Sequence, residues 1–255
     1  MSVVTTEKAL DDRVLIISVN RPEARNAVNG QVARELAAAM DELDADPQLR
    51  LGILRGEGPG FSAGMDLKGF LQGDAPVVGD RGFGGFATKP PRKPLIAAIE
   101  GFAVAGGLEM ALACDLIVAA SDAKLGLPEV KRSLIAAGGG LLRLALRIPY
   151  HVAAEIALTG DHIPAERLYQ VGLINRLAEP GRALDEALAL AARIVDNAPL
   201  ALDGTKYVLS NAADWGLTEG WERQEEASRR AAESEDAREG ATAFAERRAP
   251  VWRGR

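Results

Sequence analysis

The sequence predicts an α/β protein in which buried strands alternate with amphipathic helices, followed by a helical last third. Two short runs rich in Val, Ile and Leu, residues 13–19 and 50–55, have the composition of strands. Between them, the apolar residues of segment 31–43 recur with the spacing of a helix. Strand, helix and strand in this order are typical of α/β folds.

The middle of the chain repeats this arrangement. Residues 94–99 and 115–120 are continuous apolar runs, which is the pattern of strands buried on both faces of a parallel sheet. A helix carrying Leu108, Leu112 and Cys114 is predicted between them.

From Leu141 onward the pattern becomes that of one helix after another. Leu184, Leu188 and Ala191, for example, follow one another at spacings of four and three residues. Residues 72–94, by contrast, are rich in Gly, Pro and charge. Long loops of this kind inside compact domains are often functional, so we expect a mobile lid there.

Composition limits the classes of function. Cys114 is the only cysteine, so no intramolecular disulfide can form, and a reducing cytoplasmic location is expected. The net charge of −6 disfavours nucleic acid as the main partner, because phosphate binding depends on Lys and Arg. No uncharged apolar run approaches the roughly 18 residues of a membrane span, so no membrane partner is expected.

Residues 60–64 read Gly-Phe-Ser-Ala-Gly, which matches the nucleophile elbow of serine hydrolases. That mechanism also needs an acid and then a histidine later in the chain, and only His151 and His162 are present. His151 lies at an apparent helix start and His162 lies in a turn. The hydrolase interpretation of Ser62 is therefore disfavoured.

A different chemistry explains more of the sequence. The first glycine-containing loop, residues 61–66, follows a strand and leads into a possible helix, so the NH groups near Met65 would point outward at a helix start. The second loop, residues 103–109, brings Gly106 to the start of another helix. Either loop alone could be only a tight turn. Two such NH donors together would form an oxyanion hole.

Two acidic residues stand in apolar surroundings. Glu109 lies in the first turn of an otherwise apolar helix, where it either interacts with the helix dipole or has a chemical role. Glu129 follows Leu-Gly-Leu-Pro, where a helix-starting Pro-Glu pair is the alternative. The 20 residues between them (129 minus 109) suffice for a helix, a strand and a return, so both carboxyls could reach one cleft.

These segments resemble the crotonase superfamily, also called the enoyl-CoA hydratase/isomerase family, over nearly the whole chain. Residues 20–27 resemble its N-terminal signature, and residues 61–68 and 103–109 its two oxyanion loops. Residues 126–129 resemble the segment that carries its second carboxylate, and residues 238–248 its C-terminal tail.

The resemblance implies a crotonase-like spiral of β-β-α turns in residues 1–195, followed by a C-terminal helical trimerisation region in residues 196–255. A homotrimer, or a hexamer built as a dimer of trimers, is then expected.

The resemblance also implies residue roles. Met65 and Gly106 would donate the two oxyanion NH groups, and Glu109 and Glu129 would be the catalytic acids. The residues that would bind CoA or substrate, the last two of them in the site of a neighbouring subunit, are Arg25, Ala63, Asp66, Leu67, Lys68, Phe244 and Arg247.

Two departures from the family pattern bear on the pocket. The family often has three glycines in the second loop, and here Ala105 replaces the first of them. Many hydratases read Pro-Gly-Ala-Gly-Gly after the second carboxylate, whereas residues 136–140 read Ala-Ala-Gly-Gly-Gly. The family pattern therefore does not determine the shape of the acyl pocket in this chain.

The expected function is that of an enoyl-CoA hydratase, a lyase that reversibly adds water to a 2-enoyl-CoA in syn geometry and so forms a 3-hydroxyacyl-CoA. Two carboxyls around one water suit this task, and no metal or further cofactor is needed. The alternatives are an isomerase or a carnitinyl-CoA-type dehydratase of the same family, and a catalytically silent relative that binds acyl-CoA or RNA. Retention of both Glu109 and Glu129 favours the hydratase.

Overall fold

Six strands of the chain form one sheet in the computed structural model, which describes residues 2–255. Its order is β1-β2-β3-β4-β6-β9, in which β1 is antiparallel to β2 and every later pair is parallel. A smaller sheet has the order β5-β7-β8. The strands are β1 Val4–Ala9, β2 Val14–Val19, β3 Leu51–Gly56, β4 Leu95–Ile99, β5 Phe102–Val104, β6 Leu116–Ala120, β7 Lys124–Gly126, β8 Ile163–Pro164 and β9 Arg176–Ala178.

Helices cover both faces of the main sheet. Their bounds are α1 Gly30–Ala45, α2 Leu67–Leu71, α3 Gly106–Ala113, α4 Gly140–Arg147, α5 Tyr150–Thr159, α6 Ala165–Gln170, α7 Ala183–Val195, α8 Pro199–Asn211, α9 Leu217–Ala232 and α10 Glu235–Glu246. The four strands predicted from apolar runs are confirmed as β2, β3, β4 and β6, and the first two predicted helices as α1 and α3.

Alternate residues of the central strands belong to two different cores. Leu15 and Ile17 pack on the side of α1 and α3, whereas Val14 and Ile16 pack on the side of α7. This division follows from the pleat of a strand, in which successive side chains point to opposite faces. All six residues of β2 are buried, which explains why the run is apolar without alternation.

Two sequence predictions are corrected by the structure. The last third is not purely helical, because β8 and β9 lie within it and β9 closes the edge of the main sheet beside β6. Three residues carry too little pattern to identify a strand, and pairing with β6 makes β9 one. Segment 72–94 is also more firmly packed than a mobile lid, since Phe86 and Ala87 are fully buried and Gly85 lies against α1.

The C-terminal helices attach to the core through a few polar contacts. Lys206 of α8 pairs with Asp115 at 2.6 Å and donates to the carbonyl of Lys93 at 2.9 Å, whereas buried Asp236 of α10 holds the C-terminal tail by accepting the backbone NH groups of Arg253 and Gly254. The predicted division between residues 195 and 196 falls at the end of α7, and trimer formation stays a prediction. Within residues 2–255, no helix combines the length and apolarity of a membrane span.

Asn26 is the polar centre of the segment that supports the first glycine loop. Its side chain is buried, donates to the carbonyls of Glu57 and Gly60 at 2.8 Å each, and accepts the NH of Arg21 at 2.9 Å. Its backbone is left-handed, with φ of 53°, a conformation that asparagine tolerates better than most residues. One side chain therefore joins the turn after β2 to the loop after β3.

We expect Asn26→Ala to lower the free energy of unfolding by about 2–4 kcal/mol. The substitution leaves buried polar groups without partners and puts an alanine in a left-handed conformation. Urea unfolding measures the change, with exposed Asn20→Ala as the matched control. Equal stability of the two variants would show that the Asn26 contacts contribute nothing.

Candidate active site

The predicted functional residues converge on one cavity of about 950 Å³ between the two glycine loops. Its walls combine backbone, apolar and charged groups. The residues that line it include Arg25, Ala63, Met65, Leu67, Phe70, Phe83, Ala105, Gly106, Glu109, Glu129, Lys131, Arg132, Leu134, Ile135, Gly138, Asp161 and His162.

Backbone hydrogen bonds hold the two glycine loops side by side. Phe61 donates to the carbonyl of Phe102 at 2.9 Å, and Val104 donates to the carbonyl of Ser62 at 3.1 Å. Gly64 has a φ of 86°, and a Cβ there would come within 2.7 Å of the Gly106 nitrogen. Glycine is therefore required at position 64 both by its backbone conformation and by the close approach of the second loop.

One NH group of each loop is both free and next to the cavity. The NH of Asp66, which follows Met65, donates to the carbonyl of Val28 at 2.9 Å. The NH of Ala105, which precedes Gly106, donates to the carbonyl of Gly126 at 2.9 Å. In the part of the chain that the structure describes, Met65 and Gly106 have no backbone or side-chain acceptor for their NH groups, and both residues line the cavity. Gly106 is also the first residue of α3, where an NH has no partner within the helix.

Ser62 is fixed in a structural role. Its side chain is fully buried, and its Oγ donates to the carbonyl of Asn26 at 2.8 Å and accepts the NH of Gly64 at 3.1 Å. Neither histidine contacts Ser62, because His151 is an exposed residue of the first turn of α5 and His162 lies in the loop before β8. This geometry agrees with the rejection of the serine-hydrolase interpretation.

Glu109 is held at the junction of two helices. It lies in the first turn of α3, and its Oε1 accepts the NH of Gly140, the first residue of α4, at 3.0 Å. Burial raises the pKa of Glu109, while hydrogen bonds from Gly140 and Gly138 act in the opposite direction. A Cβ at Gly138 would lie 2.7 Å from the carboxylate, so the glycine run after Glu129 makes room for this acid.

Glu129 reaches the same cavity from a short 3-10 helix, Pro128–Arg132. Its Oε2 is buried and has no hydrogen-bond partner within residues 2–255. Burial raises the pKa of this carboxyl, and the nearby charge of Glu109 raises it further. The structure therefore unites the two acids that the sequence could only suggest were close.

The residues expected to bind CoA or substrate divide into two groups. Arg25, Ala63 and Leu67 line the cavity, and the Arg25 guanidinium lies 4.6 Å from the centre of the Phe102 ring. The residues of the expected set that do not line it are Asp66, Lys68, Phe244 and Arg247.

Asp66 has a structural set of contacts instead. Its carboxylate caps α2 by accepting the NH groups of Lys68 and Gly69, and it pairs with Arg21 at 3.1 Å. Phe244 is exposed on α10, and Arg247 ends that helix, so a role for either in a neighbouring subunit stays a prediction.

The sequence did not reveal three features of the cavity. Phe83, from the segment predicted to be a lid, packs so closely over Gly106 that a Cβ at 106 would collide with its ring. Arg132 and His162 also line the cavity. The i, i+3 spacing of Glu129 and Arg132 in a Pro-initiated turn was the signal available for Arg132.

Comparisons with known proteins identify the family of this chain. Residues 10–255 match the family model described as enoyl-CoA hydratase/isomerase. A carnitinyl-CoA dehydratase from Salmonella arizonae is 38% identical over 94% of this chain and 95% of its own length. Solved enoyl-CoA hydratases from Mycobacterium tuberculosis H37Rv and Mycobacterium marinum are 55% and 54% identical, each with a TM-score of 0.97 and complete coverage of both chains.

Ala105 adopts a backbone conformation that favours glycine, with φ of 52° and ψ of −130°. We expect Ala105→Gly to raise the free energy of unfolding by about 1 kcal/mol, because the strain relieved exceeds the added freedom of the unfolded chain. Urea unfolding tests this against Ala145→Gly, an exposed site inside α4 where the same change should cost about 1 kcal/mol. Destabilisation by both variants would contradict the assignment of strain to Ala105.

Glu129→Gln should stabilise the protein above neutral pH. Because the native state holds the Glu129 proton more tightly than the unfolded state, stability falls as pH rises through the raised pKa. The amide removes this loss, so the gain should grow as pH rises through the raised pKa, level off above it, and vanish below about pH 4, where both states are protonated. Thermal unfolding across pH measures it, and exposed Glu155→Gln should show no such trend.

Proposed function

Since the chain belongs to the enoyl-CoA hydratase/isomerase family, we propose that it is an enoyl-CoA hydratase that adds water in syn geometry to a 2-enoyl-CoA. The product is a 3-hydroxyacyl-CoA. One observation carries this proposal: two carboxyls with raised pKa and two free backbone NH groups line a single cavity.

The NH groups of Met65 and Gly106 supply the electrostatic part of the reaction. Attack of water at C3 of the enoyl group builds negative charge on the thioester oxygen, and fixed NH donors stabilise that charge without having to reorganise. Loss of one such donor typically costs about 2.7–4 kcal/mol of transition-state stabilisation. Phe83 packs against Gly106 so closely that only glycine fits at this position.

The two acids share the proton transfers. Glu109, with one oxygen fixed by the NH of Gly140, keeps its other oxygen to orient water and take its proton. Glu129, protonated at the start, donates to C2 from the carboxyl whose Oε2 has no protein partner. Water thus gives OH to C3 and a proton to Glu109, C2 receives a proton from Glu129, and proton exchange with solvent restores both acids. No metal or redox cofactor is needed for these steps.

Arg25, Ala63 and Leu67 are placed to bind the CoA part of the substrate. They belong to, or directly contact, the loop that carries Met65, and Ala63 donates its NH to the carbonyl of Arg25 at 3.0 Å. Binding CoA along this loop would bring the thioester carbonyl to the free NH groups. Lys68, which follows this loop at the start of α2, is proposed to contact the nucleotide part of CoA, and Phe244 and Arg247 to contact CoA in the site of a neighbouring subunit.

Dehydration of a carnitinyl-type CoA ester is the second candidate. The Salmonella relative named carnitinyl-CoA dehydratase favours it, whereas identity is higher to the solved enoyl-CoA hydratases. The same pair of acids, acting in reverse, would serve this reaction. An isomerase needs mainly one carboxylate moving a proton between C2 and C4, and a silent binding protein needs neither, so the paired acids favour hydration.

The decisive measurement is loss of the conjugated absorbance of crotonyl-CoA with a product heavier by one water molecule. We expect Glu129→Gln to lower kcat by at least about 100-fold, the usual contribution of a general acid, while CoA-ester binding persists. Glu155→Gln is the charge-matched control and should keep full activity. No hydration of any enoyl-CoA of a chain-length panel, despite binding, would overturn the hydratase proposal, and a change of absorbance without a mass change would indicate isomerisation.

A further inference from the structure

We propose that the acyl group of the substrate ends in a carboxylate, which Arg132 binds on the cavity wall that also carries Glu129. This inference rests on the hydratase proposal and specifies its substrate class. The ligand would be the CoA thioester of a short dicarboxylic acid.

Arg132 stands on the same side of its helix as Glu129. Both belong to the 3-10 helix Pro128–Arg132, and in such a helix residues i and i+3 lie one above the other. Both line the cavity. The charge of Arg132 also acts on Glu129, because it opposes the increase in pKa that burial causes.

The other cations of the cavity have partners. Lys131 pairs with Asp161 at 2.5 Å, and Arg25 lies over the Phe102 ring beside the CoA-binding loop. Arg132 forms no ion pair and donates no hydrogen bond to any residue from 2 to 255. Its guanidinium is thus the unpaired positive group of the wall that holds the acids.

The position of Arg132 sets the length of the acyl group. The thioester oxygen lies at Met65 and Gly106 in the proposed complex, and Glu129 acts at C2. Three residues of a 3-10 helix advance about 6 Å, so a carboxylate bound by Arg132 would lie about that far from the carbon at which Glu129 acts, a separation that a four- to six-carbon chain spans. Leu134 and Ile135 follow on the same wall as exposed apolar side chains.

The guanidinium group of Arg132 favours a carboxylate as its ligand. Arginine binds a carboxylate through two parallel N–H···O bonds, which are stronger than hydrogen bonds between neutral groups. An apolar acyl chain of the same length would displace water from Arg132 without replacing its hydrogen bonds. A chain ending in trimethylammonium would meet a like charge, so the inference also opposes the carnitinyl-type alternative.

The test uses saturated CoA esters, so that it does not depend on turnover. Glutaryl-CoA and pentanoyl-CoA have five-carbon acyl groups that differ in the terminal carboxylate, and calorimetry gives both dissociation constants. We expect about 2- to 5-fold tighter binding of glutaryl-CoA, the range for a charge pair at an exposed side chain such as Arg132. Arg132→Leu should abolish this ratio, Arg132→Lys should retain part of it, and Arg167→Leu, an exposed arginine of α6 outside the cavity, should leave it intact.

Several outcomes would overturn the inference. They are equal affinity for the two esters in the unmodified protein, a ratio that survives Arg132→Leu, and tighter binding of a butanoyl-CoA that carries a terminal trimethylammonium group than of pentanoyl-CoA. The proposed function is tested separately by turnover. Hydration of crotonyl-CoA without a glutaryl preference would contradict only the substrate class, and a glutaryl preference without hydration of any enoyl ester would contradict only the hydratase proposal.

Discussion

The hydrogen bond from the NH of Gly140 to the carboxylate of Glu109 is the contact on which the rest of the site depends. A buried carboxylate needs partners, and the start of α4 supplies NH groups and the positive end of a helix dipole. At the other end of the same helix pair, Arg147 of α4 donates to the carbonyl of Leu112 at 2.5 Å near the end of α3. Each helix thus complements an end of the other, and this fixes where Glu109 of α3 lies relative to α4.

The free NH groups are positioned by a second polar network. The side-chain amide of Asn26 donates to the carbonyl of Gly60, and the backbone carbonyl of Asn26 accepts a hydrogen bond from the Oγ of Ser62. These two contacts fix the first glycine loop to the turn that carries Asn26. Hydrogen bonds between Ser62 and the neighbouring β5 set the register of the two loops. Met65 and Gly106 become the candidate donors because both line the cavity, while the NH groups of Asp66 and Ala105 beside them already have acceptors.

Several features of the same site lower the free energy of unfolding. Among the described residues 2–255, a buried oxygen of Glu129 has no hydrogen-bond partner, Ala105 is strained, and burial raises the pKa of both Glu109 and Glu129. Proteins commonly retain such costs where function requires them. The fold is common to hydratases, isomerases and dehydratases, so function is argued from the groups on the cavity wall rather than from the fold.

The sequence by itself determined the α/β class, the central strands and the two glycine loops. It did so because buried strands and helices have strong apolar periodicities, and because free NH groups at helix starts follow from local backbone geometry. It also singled out Glu109 and Glu129, since carboxylates in apolar surroundings are conspicuous. Only the tertiary structure decided that both acids line one cavity, that Gly140 supports Glu109, and that Arg132 and Phe83 belong to its walls. It placed β9 in the main sheet and Asp66 in a capping role for the same reason: contacts between residues distant in sequence leave no local pattern.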